Sequence, residues 1–221
     1  MLSSTGFNAV SLLYAVAGAF TAYRLIRERR SFLDGVITRE DVTLAWMVAI
    51  FLLTPVAVLL HEAGHYFIAR HFGADEVQLH LRGYWGFVTY RPGPTFDDGK
   101  EIIVAAAGPG VSVLLGYISL ALAAALPMRL AFKQTLAFFG MIGVFHALIG
   151  YPLIDLTSEI EGDFHSIYTL LSMPRRVVAG VIHGLLLGLL VLSWKRVGNE
   201  KGWVGTRPKK IVIVRRNQRT P

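Results

Sequence analysis

Five long apolar stretches constrain the fold of this chain more than any other feature. They run over about 7–26, 43–66, 102–126, 132–154 and 177–194. Crossing the hydrocarbon core of a bilayer takes roughly 20 mostly apolar residues, and the stretches are close to that length. Backbone polar groups in lipid must be bonded within the protein, so such stretches are expected to be helices. The sequence therefore predicts an all-α polytopic membrane protein with about five transmembrane helices.

The distribution of charge agrees with a membrane location. Of the 221 residues only 17% are charged and 53% are hydrophobic, and the net charge is +7. Much of the excess lies beside the apolar stretches, between Arg24 and Arg30 and in the tail that begins at Lys195. Basic residues next to membrane helices are typical of contact with anionic lipid. No nucleic-acid-binding signature accompanies them, so we expect the lipid bilayer and no nucleic acid as a partner.

A polar segment between the second and third stretches predicts a small β-hairpin. Apolar and polar side chains alternate from Val77 to Arg82, Gly83-Tyr84-Trp85-Gly86 supplies turn residues, and Phe87–Tyr90 is rich in strand formers. Alternation on both sides of a glycine-bearing turn is the usual hairpin pattern. We expect the hairpin at about 77–90.

We predict a compact core flanked by additional segments, with no internal repeat. The expected organisation is an N-terminal transmembrane helix and basic loop (1–42), a core with the hairpin (43–172), a C-terminal transmembrane helix (173–198) and a basic tail (199–221). Within the tail, 211–214 has the composition of a short strand.

The segment His61-Glu62-Ala63-Gly64-His65 carries the chemistry of the chain. Two histidines four residues apart leave the same face of a helix, and both can reach one zinc ion at about 2.0–2.1 Å. The intervening glutamate lies beside the ion, where it can take a proton from zinc-bound water and pass it on to a leaving amine. This is the HExxH pattern of zinc peptidases. It follows an apolar run, and ionisable residues at such depth are usually functional.

A catalytic zinc site needs a third protein ligand and one open position. The absence of cysteine excludes thiolate ligands. The segment after the fourth apolar stretch holds the candidates, and chemistry alone does not choose among them. They are Asp155, Glu159, Glu161, Asp163 and His165.

The other histidines have structural interpretations. We expect His71 and His80 at the surface or in the hairpin. His146 and His183 lie in apolar helices, where a buried histidine bonded to a neighbouring helix is the usual arrangement.

Together these features resemble the site-2 protease family of intramembrane zinc metalloproteases. The HExxH motif ends an apolar helix, and Ala107-Gly108-Pro109 is similar to the first part of the family's Ala-Gly-Pro-x-x-Asn element, with Ser112 at the asparagine position. The resemblance covers about 43–172. It implies that Gly108, Pro109 and Ser112 contact substrate, together with Phe87 and Val88 of the hairpin.

The family's third zinc ligand is the aspartate of a Leu-Asp-Gly motif, which does not occur here. Gly162-Asp163-Phe164 and the segment around Asp155 are the rival matches. We favour Asp163, because Ile167 follows it at the family's offset for an apolar residue and a helix is expected to start there. A carboxylate in a first helical turn is favourable.

The resemblance implies intramembrane zinc-dependent hydrolysis of membrane-spanning protein substrates, with Glu62 activating the water and His61, His65 and Asp163 holding Zn²⁺. Two alternatives are a zinc-binding regulatory membrane protein without proteolysis, and a different HExxH membrane peptidase with Glu159 or Glu161 as ligand.

The expected location is the plasma membrane of a prokaryote, but two criteria for topology disagree. Counting Lys and Arg places 67–100 outside the cytoplasm, whereas the family pattern places the metal motif nearer to it.

Overall fold

The computed structural model describes residues 4–34, 36–157 and 162–199. Two of the third-ligand candidates, Glu159 and Glu161, lie outside the described residues, as does the possible strand at 211–214.

The described residues form eight α-helices, two π-helical turns and one hairpin. The helices are α1 (Ser4–Phe32), α2 (Arg39–Val48), α3 (Thr54–His71), α4 (Asp98–Ala125), α5 (Leu130–Phe145), α6 (Tyr151–Thr157), α7 (Asp163–Leu170) and α8 (Met173–Asn199). The π-helical turns are Ala49–Leu53, between α2 and α3, and His146–Gly150, between α5 and α6.

Five helical runs are long and apolar enough to cross a membrane, which confirms the predicted fold class. Several extend past the predicted apolar stretches, because polar residues at helix ends continue the backbone bonding. At the start of α2, for example, Thr38 and Asp41 form a capping box that begins the helix before its apolar part. The five runs are Ala9–Phe32, Arg39–His71, Asp98–Ala125, Leu130–Thr157 and Met173–Lys195.

The predicted hairpin is confirmed and slightly longer than expected. Its strands β1 (Asp75–Leu81) and β2 (Gly86–Arg91) pair antiparallel, with Leu81 opposite Gly86. It connects the end of α3 to the start of α4. These two helices pack against each other and run antiparallel.

Each π-helical turn ends two residues before a proline. Thr54 donates its N–H to Ala49 and precedes Pro55, and Tyr151 donates to His146 and precedes Pro152. Proline has no N–H and its ring clashes with the carbonyl four residues earlier, so a regular α-helix cannot pass through it unchanged. Widening the preceding turn to a π-helix accommodates the ring and leaves carbonyls without their usual donors.

The first and last membrane helices dock on these carbonyls. Tyr14 of α1 donates its hydroxyl to the carbonyl of Ile50, whose π-helical donor would be Pro55. His183 of α8 donates Nε2–H to the carbonyl of Leu148, 2.7 Å away, for which Pro152 offers no α-helical donor. The structural interpretation of His183 is thereby confirmed.

The remaining histidines differ in their surroundings. His71 is exposed at the end of α3, and His80 lies in the hairpin beside Thr89, as predicted. His146 is exposed and stacks on the Tyr151 ring, so the expectation of a buried histidine was wrong for this position. It is the first residue of the second π-helical turn.

Helices α4 and α5 approach each other closely at a pair of glycines. A Cβ atom added at Gly140 would lie 2.7 Å from the Gly116 carbonyl oxygen and 2.8 Å from Leu120 Cγ. Small residues at such crossings let membrane helices approach closely. Leu120 and Val144, both buried, pack around this contact.

Gly140→Ala should therefore destabilise the protein, whereas Gly143→Ala on the same helix should not. The first substitution overpacks the crossing, which typically costs about 1–3 kcal/mol. The second faces open space within 4 Å, and alanine forms helix better than glycine by up to about 1 kcal/mol. Thermal unfolding of the purified variants in detergent measures the difference. Equal unfolding temperatures would contradict the close α4–α5 contact.

Candidate metal centre

Three side chains from two distant parts of the chain meet at one point. His61 and His65 leave the same face of α3, and their Nε2 atoms are 3.2 Å apart. Asp163, the first residue of α7, places Oδ2 3.3 Å from both nitrogens. Among the described residues these three form a group able to hold a metal ion.

Contacts on the far side of each imidazole orient it toward this point. His65 Nδ1 lies 2.7 Å from the carbonyl oxygen of Val104, which can only accept, so Nδ1 carries the hydrogen and Nε2 of the neutral ring presents a lone pair. His61 Nδ1 lies 2.9 Å from Ser112 Oγ, which can accept in the same way. Such outer contacts are typical of metal-binding histidines.

His61 Nε2, His65 Nε2 and Asp163 Oδ2 form a triangle whose electrostatics favour a bound cation. Asp163 Oδ2 is buried and accepts no hydrogen bond in the described part of the structure. Partial burial tends to raise the pKa of this carboxyl, but the two imidazoles, which pair with it when protonated, outweigh burial and hold its pKa below the usual range. An ionised carboxylate therefore faces two ring nitrogens across 3.3 Å, where a positive charge would stabilise all three.

The absence of a side chain at Gly108 makes room for the triangle. A Cβ atom there would lie 2.1 Å from His65 Nε2 and 2.6 Å from His61 Nε2. Pro109 follows and is buried within α4. Gly108, Pro109 and Ser112 were predicted to contact substrate; in the structure Gly108 and Ser112 lie against the histidines.

Of the rival third ligands, Asp155 and His165 are among the described residues, and neither is part of this group. Asp155 is fully buried, and its Oδ2 accepts the backbone N–H of Phe164 at 2.9 Å. It thereby holds the first turn of α7, while Asp163 on that turn faces the histidines. His165 does not belong to the group of possible ligands either.

Glu62 lies beside the histidines under the first residue of β2. It is buried, and a Cβ atom added at Gly86 would lie 2.8 Å from its Cγ. The hairpin therefore lies directly over this carboxylate. Phe87 and Val88, the predicted substrate contacts of β2, line a cleft together with Glu62, His61, His65 and Asp163.

The cleft has a volume of about 230 Å³ and contains residues that the sequence did not single out. Ionisable residues at the edge of an apolar stretch could have drawn attention to Glu101, seven residues before Gly108 on the same face of α4. The pattern gave no signal for the others, because they come from separate elements. These residues are Glu101, Val104, Ala105, Tyr151 and Ser166; Tyr90 of the predicted strand and Gly162 of the third-ligand match line the cleft as well.

One hydrogen bond joins the hairpin to α4 inside the cleft. The Tyr90 hydroxyl lies 2.8 Å from both carboxylate oxygens of Glu101. Burial, together with this bond, raises the pKa of Tyr90, so its hydroxyl stays protonated and acts as a donor. The bond ties β2 to the helix that carries Gly108.

The candidate metal centre lies far along α3 and α4 from the helix ends that join the hairpin. His61 is ten residues from the end of α3 at His71, and Gly108 is ten residues from the start of α4 at Asp98. At 1.5 Å per residue both lie about 15 Å along their helices. The two histidines and Gly108 thus lie within candidate membrane spans, and the histidines line the cleft together with Asp163 of α7.

No family model matches the chain, and no curated protein or solved structure is significantly similar to it. The resemblance to the site-2 protease family therefore rests on the motifs quoted above.

Gly108→Ala should abolish or greatly weaken metal binding, while Gly110→Ala should leave it intact. The added methyl group at residue 108 overlaps both Nε2 atoms, whereas at residue 110 it meets nothing within 4 Å. The metal content of the two purified variants, measured by elemental analysis against the unaltered protein, tests this. Full metal occupancy in Gly108→Ala would show that the ion binds elsewhere.

Proposed function

We propose that this chain is an intramembrane zinc metalloprotease of the site-2 protease type, which hydrolyses peptide bonds of membrane-embedded proteins. The observation that carries the proposal is the convergence of His61, His65 and Asp163, with Glu62 beside them, in a cleft between candidate membrane helices. The expected location, the plasma membrane of a prokaryote, belongs to the same proposal.

The spacing of the three ligand atoms supports zinc. Ligands placed tetrahedrally at about 2.0 Å from an ion lie about 3.3 Å from one another. The three observed separations are 3.2, 3.3 and 3.3 Å. Two imidazoles and one carboxylate are also a common donor set of catalytic zinc, which keeps a fourth position open.

When bound, zinc would polarise the scissile carbonyl and lower the pKa of water at the open position to near 7. Glu62 takes a proton from the attacking water and delivers it to the leaving amine. Val104 and Ser112 hold the imidazoles in the orientation that directs Nε2 into the cleft.

The hairpin supports a role in presenting an extended substrate. A transmembrane helix keeps its carbonyls hydrogen-bonded, so the substrate must unwind locally before cleavage. Phe87 and Val88 line the cleft on β2, whose backbone can pair with an extended segment by strand addition. Gly86 permits the approach of this strand to Glu62.

The presence of Glu62 favours a protease over a zinc-binding regulatory protein. A site that only holds metal has no use for a buried carboxylate beside the ligands, and burying such a group is costly. The other alternative, a peptidase with a glutamate as third ligand, has its candidates Glu159 and Glu161 outside the described residues. Asp163 already occupies the third corner of the triangle.

Glu62→Gln should retain zinc and lose cleavage of a model transmembrane substrate by about 10²- to 10⁴-fold, because it removes the general base and no ligand. Asp163→Asn should lose both zinc and cleavage. Asp155→Asn should retain zinc, since its amide oxygen can still accept from Phe164. Zinc content and cleavage are measured on the same purified preparations in detergent.

Each result separates two functions. If the wild-type protein binds zinc but cleaves no substrate that Glu62→Gln leaves uncut, the regulatory alternative is favoured. Loss of zinc in Asp155→Asn with retention in Asp163→Asn would refute the ligand assignment.

A further inference from the structure

His183 lies on α8, outside the helices that carry the metal centre, yet it contacts two parts of the core. Its Nε2–H donates to the carbonyl oxygen of Leu148 at 2.7 Å. Its ring also packs against the ring of Phe164, with centroids 5.8 Å apart. The hydrogen bond fixes the imidazole, and the fixed imidazole forms one wall of the site that Phe164 occupies.

Phe164 directly follows Asp163 in the first turn of α7. It is buried, its ring packs edge-on against Tyr151 at 6.1 Å, and its N–H is bonded to Asp155. Tyr151 and Asp155 both belong to α6. From α8, the His183 ring contacts the Phe164 ring. The position of the first turn of α7 therefore depends on α8 as well as on α6.

The position of Asp163 depends on such contacts because α7 is too short to be stable by itself. It has eight residues, and isolated helices shorter than about 12–15 residues are marginal in water. A metal ligand must keep its distance within about 0.2 Å. Movement of the Phe164 ring into a gap left by His183 would displace the neighbouring Asp163 from the triangle.

A second hydrogen bond attaches α8 to the core without touching α7. The Tyr117 hydroxyl of α4 donates to the carbonyl oxygen of Leu186 at 2.6 Å. It provides a matched control, because removing it loosens α8 and leaves the contact between His183 and Phe164 in place.

We propose that His183 is a positioning residue through which α8 sets the metal affinity of the centre. It acts through Phe164 on Asp163 and touches neither the metal ligands nor the substrate cleft. The proposal rests on the proposed function insofar as the triangle binds zinc. It assigns the last membrane helix a role in the centre beyond anchoring the chain.

The test compares two amide substitutions that differ in reach. The amide nitrogen of His183→Gln extends about as far as Nε2 and can still donate to Leu148, whereas that of His183→Asn is too short. Zinc affinity is measured by competition with a chromogenic chelator on purified protein in detergent, and thermal unfolding is recorded in parallel. Tyr117→Phe is the control.

We expect His183→Asn to weaken zinc binding roughly tenfold, as at the lower end for residues that orient ligands. His183→Gln should restore affinity to within about twofold of wild type, and Tyr117→Phe should lower the unfolding temperature without changing affinity. If His183→Asn does not fold, His183→Gln still decides the test. A tenfold loss of zinc affinity in His183→Gln, which keeps the hydrogen bond, would contradict the role of that bond.

Two failures are distinguishable. A wild-type protein without measurable zinc affinity would overturn the proposed function, and this inference with it. Wild-type affinity in His183→Asn, or an equal loss in Tyr117→Phe, would overturn the positioning role alone and leave the zinc site intact.

Discussion

The need to satisfy every backbone polar group within an apolar phase governs this structure. It makes the spans helical, and it gives special weight to the prolines that interrupt them. Pro55 and Pro152 each follow a π-helical turn, and the carbonyls left there receive hydroxyl or imidazole donors from α1 and α8. The outer helices are thus attached at the points where the inner helices lack donors.

Hydrogen bonding also determines the geometry of the candidate metal centre. Both histidines use Nδ1 for contacts with α4, so their Nε2 atoms face Asp163. Gly108 leaves space at this point, and the first turn of α7 brings in the carboxylate. Helices α3, α4 and α7 therefore form one unit, in which a shift of any one changes the spacing of the three ligand atoms.

Two contacts join the hairpin to the residues around the candidate metal centre. Gly86 lies over Glu62, and Tyr90 is bonded to Glu101 on α4. The strand is therefore held beside Glu62, the carboxylate to which the proposed function assigns the activation of water. A peptide paired with this strand would pass through the cleft next to the triangle, which is consistent with the proposed proteolysis at membrane depth.

Much of this arrangement followed from the sequence, because its signals are local. Apolar length predicted the spans, alternation around a glycine-bearing turn predicted the hairpin, and a spacing of four placed His61 and His65 on one helix face. Only the tertiary structure decided which acidic residue joins them. Asp155 and Asp163 are both plausible in composition, and their roles depend on how α6 and α7 pack. The contact of His183 with Phe164 likewise joins residues on separate helices. Packing between separate helices produces no periodic pattern that a single sequence would show.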